Sequence, residues 1–217
     1  MELGEKAERL TLNFLKEHGY TDSSQNADFK NQNSSRDITA VSPKGKTVSI
    51  SVKSGRFFMP RVGHIDQHGE WIYMYDATRP RHNEIDDILN RKFDFAFYWD
   101  SDNLNNESLE PRAIVPCSKL KSYLKTWRLK EDVGGLEIEY AFDKYFKDQF
   151  VEDLKDGTLK REYFYQGTFN DVRYSFIVRK NKSDEVYEDY SVFYILPITT
   201  DFWKPSREEG YNRIIRG

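Results

Sequence analysis

The chain is poor in cysteine and has no long hydrophobic run. Its 217 residues contain one cysteine, Cys117, so neither an internal disulfide nor a cysteine zinc cage can form. Cys117 lies in the apolar run RAIVPCSKL, which indicates a buried structural position at the end of a strand. Because no apolar stretch is long enough for a signal peptide or a membrane span, we expect a reducing, cytoplasmic setting.

The chain also lacks an excess of positive charge. Lys and Arg number 33 against 36 Asp and Glu, for a formal net charge of −3, so no overall positive field attracts nucleic acid. Binding to DNA would need local basic patches. This weighs against a nonspecific DNA-binding protein, but less against an enzyme whose site is acidic. A phosphate-cradling Gly-rich loop, a GxSxG motif and a Cys/His pair suited to a triad are absent as well.

What the chain does have is enough apolar and aromatic material for a packed core. Hydrophobic residues make up 38% and aromatics 15%, too many for a disordered chain. A helix is predicted over 3–18, strands over 38–41 and 47–53, and a further strand near 27–29. The later segments NEIDDILNRK, FDFAFYWD, RAIVPC and SKLKSYLKTWRLK favour a helix, two strands and a helix. This order is typical of an α/β domain with a mixed sheet.

The character of the sequence changes after about residue 130. AFDKYFKDQFVEDL has helical spacing, and three aromatic strands are predicted over 160–167, 171–180 and 188–198. We therefore divide the chain into a core over 1–128 and an aromatic-rich α+β segment over 129–217. The second segment would recognise a substrate, form a homodimer or bind a protein partner.

The stretch DITAVSPKGKTVSISVKSGR carries the first candidate chemistry. In the predicted second strand, Ser51 and Lys53 alternate with the apolar residues and point to one side of the sheet, the side that would meet Asp37. A carboxylate can hold Mg²⁺, which polarises a phosphodiester and lowers the pKa of a bound water. A nearby lysine can orient that water or offset charge on the phosphate. The alternative is a hairpin with a polar, solvated face.

Three motifs in order resemble those of the PD-(D/E)XK nuclease superfamily, most of all its restriction-endonuclease-like and Holliday-junction-resolvase-like members. GEKAERLTLNFLKEHGY places Glu8 at the helix carboxylate of that family, DITAV supplies Asp37, and SVK ends in Lys53. The resemblance implies a restriction-endonuclease-like mixed sheet flanked by helices over about the first 125 residues. It also implies cleavage of phosphodiester bonds, with DNA as the substrate expected here and Mg²⁺ or Mn²⁺ as cofactor. Glu8 and Asp37 would bind the metal, and Lys53 would assist the water or the developing charge.

The departure from the family pattern is Ser51, where these nucleases usually carry Glu, Asp or sometimes Gln. Three interpretations stay open. The metal could be held by Asp37, Glu8, the carbonyl of Val52 and waters. A carboxylate elsewhere, such as Asp28 or Glu5, could replace the missing one. Or the site is lost, and the fold serves as a nucleic-acid-binding or protein-interaction subunit.

Basic residues interleaved with aromatics form a second candidate surface. Their side chains could contact a phosphate backbone and stack on bases, although a mixed solvated surface explains them equally well. The residues are Arg56, Arg61, Arg79 and Arg81, with Phe57, Phe58 and Trp71 among them. A further motif, HIDQH, puts His64, Asp66 and His68 at alternate positions, which suits either a metal site or, more commonly, a hairpin.

Overall fold

A computed structural model describes most of the chain. The described residues are 3–24, 37–72, 84–106, 109–126, 137–156, 160–181 and 189–217. Their elements, in chain order, are α1 (Leu3–Glu17), β1 (Thr21–Ser24), β2 (Ile38–Val41), β3 (Thr47–Gly55), β4 (Arg61–Asp66), α2 (Glu84–Leu89), β5 (Phe95–Asp100), α3 (Ser101–Asn105), β6 (Ala113–Pro116), α4 (Cys117–Thr126), α5 (Glu137–Tyr145), α6 (Lys147–Lys155), β7 (Glu162–Phe169), β8 (Val172–Lys180), β9 (Asp189–Tyr194), a 3₁₀ turn (Asp201–Trp203) and α7 (Lys204–Ile215).

The chain folds into two compact units, and neither is continuous in sequence. Unit 1 consists of Met1–Phe58, Asp86–Lys125 and Pro197–Gly217, and unit 2 of Met59–Ile85 and Thr126–Leu196. This division differs from the sequence-based one at residue 128. Residues 59–85 group with unit 2, and 197–217 return to unit 1 because α7 packs against β6.

Unit 1 is built around a five-stranded mixed sheet in the order β1-β2-β3-β5-β6. Strands β3 and β5 run parallel and the other neighbours antiparallel. The predicted α/β class with a mixed sheet flanked by helices is confirmed at this level. The predicted strands at 38–41 and 47–53 and those in FDFAFYWD and RAIVPC are present, whereas the strand expected near 27–29 lies outside the described residues.

Helix α1 covers one face of this sheet because its apolar residues recur at helical spacing. Phe14 and Leu15 are buried and pack in one cluster with Ile38, Ile50 and Phe97 from three adjacent strands. Ile214 of α7 joins the same cluster. The even-numbered residues of β3 therefore face α1, so its odd-numbered residues, Ser51 and Lys53 among them, leave the opposite face.

Unit 2 contains an antiparallel sheet in the order β4-β9-β8-β7. The three aromatic strands predicted in the C-terminal third correspond to β7, β8 and β9. The single helix expected in AFDKYFKDQFVEDL is instead two, α5 and α6, separated at Phe146, whose φ of −133° is not helical. Its ring is buried and lies 5.6 Å, between centroids, from the ring of Phe176 on β8.

The HIDQH motif is a hairpin, as its turn chemistry indicated. Strand β4 ends at Asp66, and the carboxylate Oδ1 of Asp66 accepts the backbone N–H groups of His68 and Glu70. Ile65 then pairs with Trp71 across the turn.

Among the described helices, none combines the length and the apolar character needed to cross a membrane.

Candidate active site

Asp37 lies immediately before β2, directly opposite Ser51 on β3. The pairing of Ile38 with Ile50 sets this register, and the N–H of Asp37 donates to the carbonyl of Ile50 at 3.0 Å. One carboxylate oxygen of Asp37, Oδ2, accepts the N–H of Val52 at 2.5 Å and the hydroxyl of Ser51 at 3.5 Å. The alternation seen in the sequence thus brings Asp37 and Ser51 together as predicted.

Ser51 is a buried polar residue, with only 2% of its surface exposed. A buried hydroxyl is stable only when it is hydrogen-bonded, and the Asp37 carboxylate supplies that partner. Lys53 is half-buried two residues further along β3, so its side chain leaves the same face of the sheet.

Glu8 lies on α1, which packs on the other face of β3, and it is linked to Asp37 by electrostatics. It is half-buried, and its pKa is raised above the ordinary value by burial first, then by the negative charges of Asp37 and Glu5. Burial is thus the main cause of the raised pKa, and repulsion from the Asp37 carboxylate adds to it. Of the two substitute carboxylates proposed from the sequence, Glu5 acts on Glu8 in this way, whereas Asp28 lies outside the described residues.

The ligand set available to a metal is made of oxygen atoms. Across the part of the chain that the structure describes, no group of three or more His, Cys, Asp and Glu side chains gathers at one point. Asp37 and Glu8 are two carboxylates, and Ser51 adds a hydroxyl. This set suits Mg²⁺ or Mn²⁺, because hard cations bind carboxylate oxygens and Mg²⁺ retains several waters.

Tyr98 is a neighbour of Lys53 that sequence reasoning missed. It lies opposite Lys53 in the parallel pairing of β3 and β5, and its hydroxyl donates to the carbonyl of Gly55 at 3.1 Å. Burial, followed by the charge of Asp100, raises the pKa of Tyr98 to about 12, and the charge of Arg112 opposes this in part. A neutral Tyr98 therefore anchors the end of β3 beside Lys53. The only sequence signal was its place in the apolar strand FDFAFYWD.

Of the four arginines predicted to bind nucleic acid, the structure describes two, and these belong to different units. Arg56 is exposed in unit 1, with its guanidinium carbon 5.0 Å from the centre of the Phe57 ring. Arg61 belongs to unit 2 and lies 5.7 Å from the Phe193 ring, on which Arg179 also stacks at 5.3 Å. Arg79 and Arg81 lie outside the described residues.

The metal interpretation of HIDQH finds no support in the described geometry. The Nδ1 atom of His64 lies 3.1 Å from the amide nitrogen of Asn181 and 3.6 Å from the carboxylate of Asp189. Asp66 is instead occupied by the backbone of its own turn. The alternate His and Asp residues therefore serve separate hydrogen-bond networks of unit 2.

Comparisons of the chain with protein-family models, with curated proteins and with solved structures give no match. The candidate site is therefore supported by its own geometry and by the resemblance of its three motifs.

Proposed function

We propose that the protein is a metal-dependent nuclease that cleaves phosphodiester bonds in DNA. The observation that carries this proposal is the pairing of Asp37 with Ser51 across β2 and β3, with Lys53 two residues further along the same strand. The influence of the Asp37 charge on the pKa of Glu8 supports it. Unit 1 would be a restriction-endonuclease-like core, since its mixed sheet flanked by helices is what the resemblance implies. Ser51 would mark an altered form of the usual active-site motif.

The carboxylates fit a divalent cation because they repel one another without it. The pKa of Glu8 is raised partly by the charge of Asp37, and a cation between them would remove that repulsion. Bound Mg²⁺ would supply a Lewis acid for the phosphate oxygen and a water of lowered pKa.

The protein's own residues have separate roles in this proposal. The N–H of Val52 orients the Asp37 carboxylate, and the Ser51 hydroxyl adds a second, longer hydrogen bond. The Lys53 ammonium would offset the charge that develops on the phosphate, which is an interaction of the transition state. Glu8 would complete the metal site from α1.

Unit 2 would contribute to substrate binding. Arg61 and Arg179 both stack on Phe193, which places two cations beside an aromatic ring within one sheet. Cations beside aromatic faces are typical of surfaces that contact phosphates and bases. Recognition of DNA, dimerisation or binding of a protein partner are the roles proposed for this unit.

The test is a cleavage assay on duplex, branched and single-stranded DNA and on RNA, with Mg²⁺ or Mn²⁺ and with EDTA. We expect metal-dependent cleavage that falls about a hundredfold or more in Asp37→Asn and in Lys53→Ala, because each removes a transition-state interaction. Asp156→Asn and Lys155→Ala are matched controls, since both residues are exposed on unit 2, and they should leave cleavage unchanged.

The competing function is nucleic-acid binding or protein interaction without turnover. It is favoured by the position of Ser51, where the resembling enzymes carry a carboxylate, and by the occupation of the Asp37 Oδ2 atom by the Val52 N–H. Absence of cleavage of every substrate, together with no heat of Mg²⁺ or Mn²⁺ binding in calorimetry, would decide for this alternative.

A further inference from the structure

Unit 1 contains a cavity of about 380 Å³ between the β2–β3 turn and α7. Its floor is apolar and buried, formed by Tyr20, Val48 and Phe95. Four cationic residues line it: Lys44, Lys46, Arg213 and Arg216. An apolar floor with a few convergent polar groups, in a volume between about 300 and 1,000 Å³, is the usual anatomy of a small-molecule site.

The two carboxylates that line the same cavity are already engaged. The Asp94 Oδ2 atom accepts the N–H of Ser49 at 2.8 Å and its hydroxyl at 3.1 Å. Glu209 lies 3.0 Å from the ammonium of Lys119 and 3.7 Å from the guanidinium of Arg213.

Four cationic side chains and two acidic ones line the cavity, so positive side-chain charge is in excess. Within the described ranges, the side chains of Lys44, Lys46 and Arg216 have no carboxylate at ion-pair distance. A negatively charged ligand is what such a group of cations binds most strongly.

The lysines are held in place by the turn that carries them. The N–H of Ser42 donates to the carbonyl of Lys46 at 2.8 Å, and the N–H of Lys46 donates to the Ser42 hydroxyl at 3.2 Å. Gly45, with a φ of +76°, lets the chain reverse between them. On the opposite wall, Arg213 lies over the Phe95 ring, 5.2 Å from its centre. The backbone that carries the lysines is thus fixed by hydrogen bonds, while their side chains are exposed to solvent.

This cavity is distinct from the candidate active site. Lys46 precedes β3 and Lys53 lies near its other end, so about 23 Å of extended strand separates them at 3.3 Å per residue. Glu8, Asp37 and Ser51 do not line the cavity.

We propose that this cavity binds a ligand carrying a phosphate monoester, of about the size of a nucleotide. Lys44, Lys46 and Arg216 would contact the phosphate, Arg213 would present its face to the ligand, and Asn212 would offer an amide for hydrogen bonding. Two sources share this chemistry, a free mononucleotide and the phosphorylated end of a nucleic acid. The inference does not depend on the proposed nuclease activity.

The test is calorimetry in EDTA, so that cleavage plays no part. The probes are inorganic phosphate, adenosine monophosphate, adenosine, and one dinucleotide with either a 5′-phosphate or a 5′-hydroxyl. We expect binding of the phosphorylated probes, none of adenosine, and about a tenfold or greater loss of affinity in the double variant Lys46→Gln/Arg216→Gln. The exposed pair Lys155→Gln/Arg161→Gln in unit 2 is the matched control and should bind as the unaltered protein does.

The outcomes separate the two sources and can overturn the inference. Tighter binding of the 5′-phosphorylated dinucleotide than of adenosine monophosphate supports the end of a nucleic acid, and the reverse order supports a free nucleotide. Absence of binding of all phosphorylated probes, or an equal loss of affinity in the control pair, would overturn the proposal. All variants alter exposed side chains, so unchanged melting temperatures confirm that they fold.

Discussion

The carboxylate of Asp37 faces the hydroxyl of Ser51 across the β2–β3 pair, with 3.5 Å between the two oxygen atoms. A carboxylate in place of Ser51 would stand beside Asp37 and share a cation with it, as the resembling nucleases imply. Serine carries no such charge, and the acidic group that Asp37 affects electrostatically is Glu8 on α1. In the proposed nuclease, the affinity for a metal ion would therefore depend on the acidic groups around Asp37.

Restoring a carboxylate at Ser51 should make stability depend on metal. In Ser51→Asp two neighbouring carboxylates repel one another in a buried site, so we expect a lower melting temperature in EDTA and its recovery with Mg²⁺. Calorimetry should show tighter Mn²⁺ binding than in the unaltered protein. Ser51→Asn, which has a similar size and no charge, is the control. An equal response of both variants to Mg²⁺ would contradict the proposed metal site.

Ionisation of Glu8 should lower the free energy of unfolding as the pH rises. Its pKa is raised in the folded protein above the ordinary 4.5, so the folded state holds the proton longer and stability falls between 4.5 and the raised pKa. Glu8→Gln should therefore melt higher than the unaltered protein at pH 7, with the gap closing below pH 4.5. Thermal unfolding in EDTA between pH 4 and pH 7 measures this difference in melting temperature. The exposed Glu17→Gln on α1 is the control. A gap that does not change with pH would argue against the burial of Glu8.

The packing of α7 on β6 can be tested at Gly210. A methyl group there would overlap with the carbonyl oxygen of Ile114, which is backbone and cannot move aside easily. We expect Gly210→Ala to lower the free energy of unfolding by about 3 kcal/mol. In Gly4→Ala the new Cβ meets no atom within 4 Å, so about 0.5 to 1 kcal/mol of stabilisation is expected from helix propensity. Chemical denaturation measures the free energy of unfolding of both variants. An equal change in both would contradict the close approach of α7 to β6.

Cys117 should be unreactive in the folded protein. Burial is the main cause that raises its pKa, to about 11, and only 2% of its surface is exposed. Since the thiolate is the reactive form, we expect no labelling by iodoacetamide at pH 8 in the native state and complete labelling in denaturant. Mass spectrometry measures the labelling. Rapid labelling of the native protein would show that this part of unit 1 opens readily.

Much of unit 1 could be predicted because its signals are local. The helical spacing of Phe14 and Leu15 gives α1 its buried face, and period-two alternation separates Ile50 from Ser51. A short turn joins β2 to β3, which leaves few registers in which the apolar faces coincide. The meeting of Asp37 and Ser51 follows from that register.

The rest depended on contacts that leave little trace in sequence. Helix α7 has few apolar residues, and it was missed because it packs through Gly210 and Ile214. The break at Phe146 follows from the position of its ring on the sheet of unit 2. The division into units was also hidden, since residues 59–85 and 197–217 join partners that are distant along the chain.

The packing of α7 in unit 1 bears on the order in which the two units fold during synthesis. During synthesis, β6 leaves the ribosome well before α7, and the second segment of unit 2 is translated between them. The packing partner of β6 is therefore absent until α7 has been synthesised. Domains usually fold as their own segments emerge, and a sheet with an open edge can pair with other chains. For this protein, we expect unit 2 to fold as its second segment emerges, and unit 1 to complete its packing only after α7 has been synthesised.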